Sequence, residues 1–433
     1  MLWLKRFQLA LVHVAVTLTL VPIQGTLNRV MINELNVSAT VFAVLASLPY
    51  LFSPIQVFIG SFADRHPIMG LRRTPYIVIG LVLCVLGVVL APYAAYMFEQ
   101  NWWAGFAACA VTFGLLGMGF NFSTVSYFSL ASEISGEGGR ARTISYMFFM
   151  MIVAIITVSL GLSRLLEPFS VEALNRAFLL VGMLALVLGL LGLVKLEPRA
   201  SRAATEERTT WAELARAAAS TPQTRLFFIY LILLLAAILG QDNLLEPFAA
   251  QAFDLPVQAT TRLTSIYGTC FLICLVIAGA LERRVSKRLV VIIGSAGTTL
   301  AFATLVLSGL LHSTPVFYTG VILLGLFIGL ATVSNLSLML DMTRAGQVGL
   351  FIGAWGMADA IARLVGDLVG GVVRDGVGAL AGNPVAGYLA FFSLAALTLL
   401  FTLYLLRKIN VGRFQSESET ELSVIERAAL SSG

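Results

Sequence analysis

Charge is what this chain lacks most. Asp, Glu, Lys and Arg make up only 12% of its 433 residues, against about 25% in an ordinary soluble domain, and that shortage excludes a globule bathed in water on all sides. Cysteine and histidine are scarcer still, at four and three residues. Cys84, Cys109, Cys270 and Cys274 fall inside apolar runs and form no CxxC pair, which argues against disulfide or metal chemistry and leaves small apolar packing as their expected role. No glycine-rich phosphate loop and no DxxxD or DDxxD run occurs. ATP-driven pumping and magnesium-assisted diphosphate chemistry are therefore not expected, and the chain reads as non-enzymatic.

What is present is hydrocarbon. Hydrophobic residues make up 58% of the chain and its mean hydropathy is +0.90. Crossing a bilayer core takes about 20 mostly apolar residues, and about twelve runs of that kind recur. They lie near 8–29, 39–62, 75–96, 104–131, 144–165, 176–196, 226–247, 260–281, 289–311, 315–340, 349–373 and 386–407. Runs this long and continuous satisfy their backbone in lipid as helices, so the expected fold is an all-α integral membrane protein.

Basic residues are distributed asymmetrically. With the amino terminus inside, the cytoplasmic segments hold Lys5, Arg6, Arg65, Arg72, Arg73, Arg140, Arg142, the Lys195 to Arg225 cluster, Arg283, Arg284, Lys287, Arg288, Arg344, Arg407, Lys408 and Arg413. The other side keeps Arg29, Arg164, Arg176, Arg262 and Arg374. That bias predicts both termini in the cytoplasm. The formal charge of +5 is thus a topological signal, with no aromatic interleaving of the kind that would suggest a nucleic-acid partner. Lys5 and Arg6 precede the first run, but no small-residue cleavage site follows, so a retained helix is expected.

The chain also repeats itself. Ser126, Ser129-Leu130 and Glu133 are echoed by Ser334, Ser337-Leu338 and Asp341, and the polar break Gln24 to Asn28 by Gly240 to Asn243. Gly60 to Arg65 has a weaker counterpart in Gly279 to Arg284. Two six-helix halves, 1–196 and 226–413, follow, related by an axis along the membrane normal. Segment 197–225 is the expected cytoplasmic linker. Thr210 and Glu213 have capping-box spacing, and Trp211, Leu214, Ala215 and Ala218 would share one face of a short amphipathic helix. The Ser/Glu-rich tail 414–433 is expected to be mobile.

From Gly25 to Ile77 the motifs are specific. GTLNRVM, the spacing to Glu34 and Leu35, SLPYLFSP, the loop Asp64 to His66 and the Arg72-Arg73 pair before Thr74-Pro75-Tyr76-Ile77 resemble the first helical pair of the bacteriochlorophyll-delivery (PucC/LhaA-like) branch of the major facilitator superfamily. The resemblance implies the major facilitator fold. It also implies a light-harvesting assembly factor in a photosynthetic bacterial membrane, with bacteriochlorophyll or chlorophyll as cargo and antenna or reaction-centre polypeptides as partners. In the superfamily a Gly, an Asp-Arg pair and further Arg form a basic loop, and the resemblance assigns Gly60, Asp64, Arg65, Arg72 and Arg73 to it. HPIMGL separates Arg65 from Arg72, making the loop longer than in ordinary transporters. An inter-half latch is its expected role. Members have been labelled bacteriochlorophyll synthases, but the Asp-rich motifs of prenyl transfer are missing here.

Three features carry possible chemistry. Asp359, Arg363 and Asp367 recur every four residues and share a helix face; either this ladder lines a cavity, as a polar or proton site, or it locks the cytoplasmic side. Gly349, Gly353, Gly356, Gly366 and Gly370 on the same helix allow close neighbours. Asn28, Arg29 and Glu34 in one half, and Gln241, Asp242, Asn243 and Glu246 in the other, form a second cluster where the first and seventh helices would close the outer mouth. His13, inside the first helix, is either a magnesium ligand for a chlorophyll-type ring or a hydrogen-bonded interhelical residue. Gln24, Gln56, Asn121 and Asn335 are weaker oxygen donors, and His66 and His312 are poorly placed. Two functions are open: pigment and antenna assembly, or proton-coupled secondary transport of a small or lipophilic solute through Asp359 or Asp367.

Overall fold

The computed structural model describes residues 2–197, 215–216, 218–219, 221–281, 284–341 and 348–409. The expected interfacial helix around Thr210 to Ala218, apart from Ala215, Arg216 and Ala218, lies outside the described residues, as do Arg344 and the tail 414–433. Within the described residues the secondary structure is helical, apart from one isolated bridge between Ile68 and Leu71.

Among the described residues, twelve spans follow in order. The first is Leu2–Leu18, a π-helical turn Ile23–Leu27 and Asn28–Asn33; the second is broken into Ala39–Ala46, Leu48–Leu51 and Ile55–Arg65. The third is Thr74–Gln100. The fourth and fifth run through Trp102–Leu165 and part at Gly136, whose φ of 62° and ψ of 173° interrupt the helix. The sixth is Val171–Leu193, and the seventh is Pro222–Leu239 with Leu245–Phe253. Val257–Leu281, Lys287–Leu311, Thr314–Asp341, Val348–Ala381 and Pro384–Lys408 complete the set. Among the described residues, ten helices are long and apolar enough to cross a membrane. The two remaining spans are the interrupted second and the eleventh, which carries Asp359, Arg363, Asp367, Arg374 and Asp375.

Local chemistry starts these helices. Ser38, Asn101, Ser170, Thr221 and Asn383 each accept a hydrogen bond from a first-turn backbone N–H, meeting donors that lipid cannot satisfy. Leu86, Leu90, Leu190, Leu397, Leu400 and Phe401 remain exposed, which suits an acyl-chain environment. Between helices, where lipid offers no hydrophobic gain, small residues set the approach. A Cβ on Gly80 would fall 2.6 Å from the Gly119 carbonyl oxygen, bringing third and fourth spans together. In the second half Gly294 meets Ala331 N at 2.7 Å in the same way, between the ninth and tenth.

The halves meet along the first and seventh, first and eighth, second and eleventh, and fifth and eighth spans. Among the described residues, several hydrogen bonds between them lie toward the end opposite the termini. Ser163 Oγ donates to Gln258 O at 2.7 Å and Ser265 Oγ to Ile156 O at 3.0 Å. Thr40 donates through its backbone N–H and hydroxyl to Asp375 at 2.7 and 2.6 Å.

Candidate functional site: the polar crossing of the two halves

Both halves break their first helix at the same level. In the first span Gln24-Gly25-Thr26-Leu27 winds as a π-turn, and the Asn28 side chain donates back to Gln24 O at 3.2 Å. In the seventh span the helix stops at Leu239 and resumes at Leu245. Gly240 is required there, since a Cβ would lie 2.7 Å from the Gly366 carbonyl oxygen of the eleventh span.

The breaks face each other. Asn28 Nδ2 donates to the Asn243 carbonyl at 2.6 Å, and the Thr26 and Thr261 hydroxyls are 3.1 Å apart. Glu246 Oε1 accepts from Thr264 Oγ1 at 2.9 Å and lies 2.6 Å from where a Cβ on Gly25 would sit. Arg29, 7% exposed, pairs with Glu34 and donates to Leu255 O at 3.3 Å. The expected outer cluster therefore assembles around Asn28, Asn243 and Glu246, with the Arg29 and Glu34 pair beside it.

The charge ladder joins this cluster. Arg363 Nε donates to Asp359 at 3.0 Å, and its Nη1 is 3.8 Å from Asp242 of the seventh span. Its guanidinium also lies over the Tyr50 ring at 5.6 Å, and Gln24 Nε2 donates to the Tyr50 hydroxyl at 3.2 Å. Gln241 Nε2 donates to Asp242 at 2.5 Å. Asp367 is buried and interacts with Asn243 and Arg363. Two constellations that looked separate in the sequence are thus one polar seam through both halves. Thr26 belongs to the break the sequence marks, whereas Tyr50, Thr261 and Thr264 were missed; Tyr50 stands in SLPYLFSP, where its neighbours make it read as apolar.

The basic loop is tied down by acids of its own half. Arg73 pairs with Glu133 at 3.3 Å and Arg72 with Glu133 at 3.8 Å. Glu197 accepts from the backbone N–H groups of Arg72, Arg73 and Thr74 at 2.7, 3.1 and 2.7 Å. These described bonds lie within the first half, tying the third, fourth and sixth spans; the loop 342–347 of the other half, which an inter-half latch would meet, lies outside the described residues. The bonds follow from reach: Glu197 follows the sixth span directly and sits under the start of the third. Gly60 and Asp64 lie on helix Ile55–Arg65, and the Asp64 side chain is outside the described residues. Arg65 and His66 instead edge a groove of about 380 Å³ lined by Phe58, Ile59, Phe62 and Phe122.

His13 is 4% exposed. Its Nδ1 is 2.8 Å from the Tyr127 hydroxyl and its Nε2 3.1 Å from Met151 Sδ, with Phe128 and Phe148 around the ring. Ligating magnesium would require Met151 or Tyr127 to swing away. The oxygen donors are engaged too: Gln56 bonds Asn121, Gln24 bonds Tyr50, and Tyr230 donates to Asn335 at 2.6 Å. The four cysteines are free thiols.

A bundle of twelve spans in two like halves, meeting at a polar seam, is the architecture of major facilitator transporters. The crystal structure of the nucleoside transporter NupG superposes with a TM-score of 0.71, covering 94% of this chain and 98% of that one at 15% identity, and this likeness shows the fold. Residues 26–414 match the family model described as PUCC protein, and the chain belongs to that family. Protein PucC of Cereibacter sphaeroides (strain ATCC 17023) is 30% identical over 94% of this chain and 93% of its own length. A protein of Rhodobacter capsulatus (strain ATCC BAA-309) named bacteriochlorophyll synthase 44.5 kDa chain is 29% identical over 86% of this chain and 88% of its own.

Proposed function

We propose that this protein is a light-harvesting assembly factor of a photosynthetic bacterial membrane, which binds or delivers bacteriochlorophyll or chlorophyll and engages nascent antenna or reaction-centre polypeptides. The observation that carries the reading is the PUCC match across 26–414 together with full-length similarity to a Protein PucC. The lateral groove with Phe58, Phe62 and Phe122 beside Arg65 and His66 supports it, because a flat lipophilic ring with polar substituents needs aromatic walls and a basic rim. Both termini face the cytoplasm in this reading, on the positive-inside bias of the loops. The role is non-enzymatic.

The test is an absorption spectrum of the tagged protein, purified in mild detergent from its native phototrophic membrane, with antenna peptides assayed in the same fraction. Pigment at about one equivalent without antenna subunits is the expected result for a carrier, and His13→Phe then tests ligation. Antenna peptides without pigment support a scaffold role instead. A colourless monomer, with normal antenna absorption in a deletion strain, overturns the proposal.

One observation favours a second reading. The half-buried Asp242, Asp359 and Arg363 and the buried Asp367, joined across closely meeting halves, are what proton-coupled alternating access uses. Uptake of protons by proteoliposomes in response to a solute gradient, abolished in Asp367→Asn, would establish that function.

A further inference from the structure

The crossing of the two broken helices holds more oxygen acceptors than donors. Asn28 Oδ1, Gln241 Oε1, Asn243 Oδ1 and Glu246 Oε2 are buried and take no hydrogen bond. Their residues are 0%, 1%, 5% and 3% exposed. A buried acceptor left without a donor costs about 1–3 kcal/mol, so four on neighbouring turns call for a positive complement. Most nearby donors are already committed, the buried Nε of Arg29 being the exception. Thr264 gives its hydroxyl proton to Glu246 Oε1, Asn28 Nδ2 serves Gln24 and Asn243 carbonyls, and Arg29 serves Glu34 and Leu255.

Charge gives an independent indication. The seam sets Asp242, Glu246, Asp359 and Asp367 against Arg363, with Arg29 matched by Glu34. Acid in excess inside a membrane must be protonated or countered by a cation. Interrupted helices at matching positions of two repeats are also where membrane proteins coordinate ions, because unwound backbone and side-chain oxygens are free to turn inward.

We propose that the crossing of the first and seventh spans binds one monovalent cation of about sodium size, through Asn28 Oδ1, Gln241 Oε1, Asn243 Oδ1 and Glu246 Oε2. Amide and carboxylate oxygens are hard donors suited to such ions, and three amides with one carboxylate bring a single negative charge. A divalent ion would leave that set with a net positive charge. Because Asn28 belongs to one half and the other three to its counterpart, the ion binds best when the halves are closed here and so favours that state. The inference is independent of whether the cargo is a pigment or a solute.

The test uses the full chain in detergent, exchanged into choline chloride and titrated with NaCl at constant ionic strength. The unfolding temperature, followed by intrinsic fluorescence, is expected to rise saturably by about 3 °C or more with sodium, and less with potassium. Equilibrium dialysis with 22Na+ should find about one ion per chain, displaced by NaCl and not by choline chloride. Glu246→Gln and Asn243→Ala, checked for a monodisperse elution profile, should each weaken 22Na+ retention at least tenfold; should either fail to fold, the wild-type dialysis decides alone. Unfolding temperatures that are equal in all salts with no 22Na+ retained, or a sodium effect unchanged in both variants, would overturn the proposal.

Discussion

Asp375, near the end of the eleventh span, caps the second span of the other half. Its carboxylate accepts from Ala39 N at 3.2 Å, Thr40 N at 2.7 Å and Thr40 Oγ1 at 2.6 Å. Arg374 holds that carboxylate at 2.7 Å while it donates to Gln251 and lies over the Tyr388 ring at 5.0 Å. A helix start is thereby satisfied from the opposite half, so opening this end exposes orphan N–H groups. Asp375→Ala is expected to lower stability by about 1–2 kcal/mol. Amide hydrogen exchange should quicken selectively at 39–42; unchanged exchange there would show that the cap does not hold this end closed.

Arg363 serves Asp359, Asp242 and Tyr50 together. Arg363→Leu leaves the acids of the seam without their cation and should cost about 1–3 kcal/mol, below the range for a fully buried pair because these side chains are half-buried. Adding Asp242→Asn should recover part of that loss, so a double-mutant cycle on unfolding temperature should show strong coupling. Additive effects would mean that the 3.8 Å pair carries no energy.

Glu197 accepts three backbone N–H groups at the start of the third span, whereas Glu133, its side chain 34% exposed, pairs with the guanidinium groups of Arg72 and Arg73. Losing a backbone acceptor strands donors, and losing one partner of a part-exposed ion pair costs little. Glu197→Ala should therefore destabilise by about 1–2 kcal/mol and speed proteolysis of the loop 66–73, with Glu133→Ala well below it. Equal effects of the two variants would contradict this ranking.

Gly240 and Gly366 meet backbone to backbone, with Cβ positions 2.7 Å from Gly366 O and 2.6 Å from Ala236 O. Neither contact can be relieved by a side-chain rotation. Gly240→Ala and Gly366→Ala should each cost about 1–3 kcal/mol by overpacking, seen as a lower unfolding temperature, while Gly356→Ala, with open space around it, should be near neutral. Gly25→Ala meets only the movable Glu246 carboxylate and should fall between the two.

Much of the site was legible residue by residue. The breaks at Gln24 to Asn28 and Gly240 to Asn243, and the four-residue spacing of Asp359, Arg363 and Asp367, stand in the sequence because helical periodicity and scarce polar residues mark them. Their union was not legible: Asp242 and Arg363 are 121 positions apart, and nothing local says that the seventh and eleventh spans touch. The partners of the basic loop within its own half were not legible either, for a similar reason. Arg72 and Arg73 could reach many acids from a loop, and only the packing of the sixth span against the third delivers Glu197.

The sequence by itself determined the helical, membrane-spanning nature of this protein, the order of its spans and the sites of its interruptions. Lipid forces each spanning segment to satisfy its own backbone, so those properties are local and can be read from apolar length. The tertiary structure alone decided which polar groups meet. Helix rotation and approach, set by close contacts such as Gly240 on Gly366, turn Asn28 toward Asn243, Asp375 toward Thr40 and Arg363 toward Tyr50. Hydrogen bonds and ion pairs act only over a few ångströms, and those last ångströms are a property of packing.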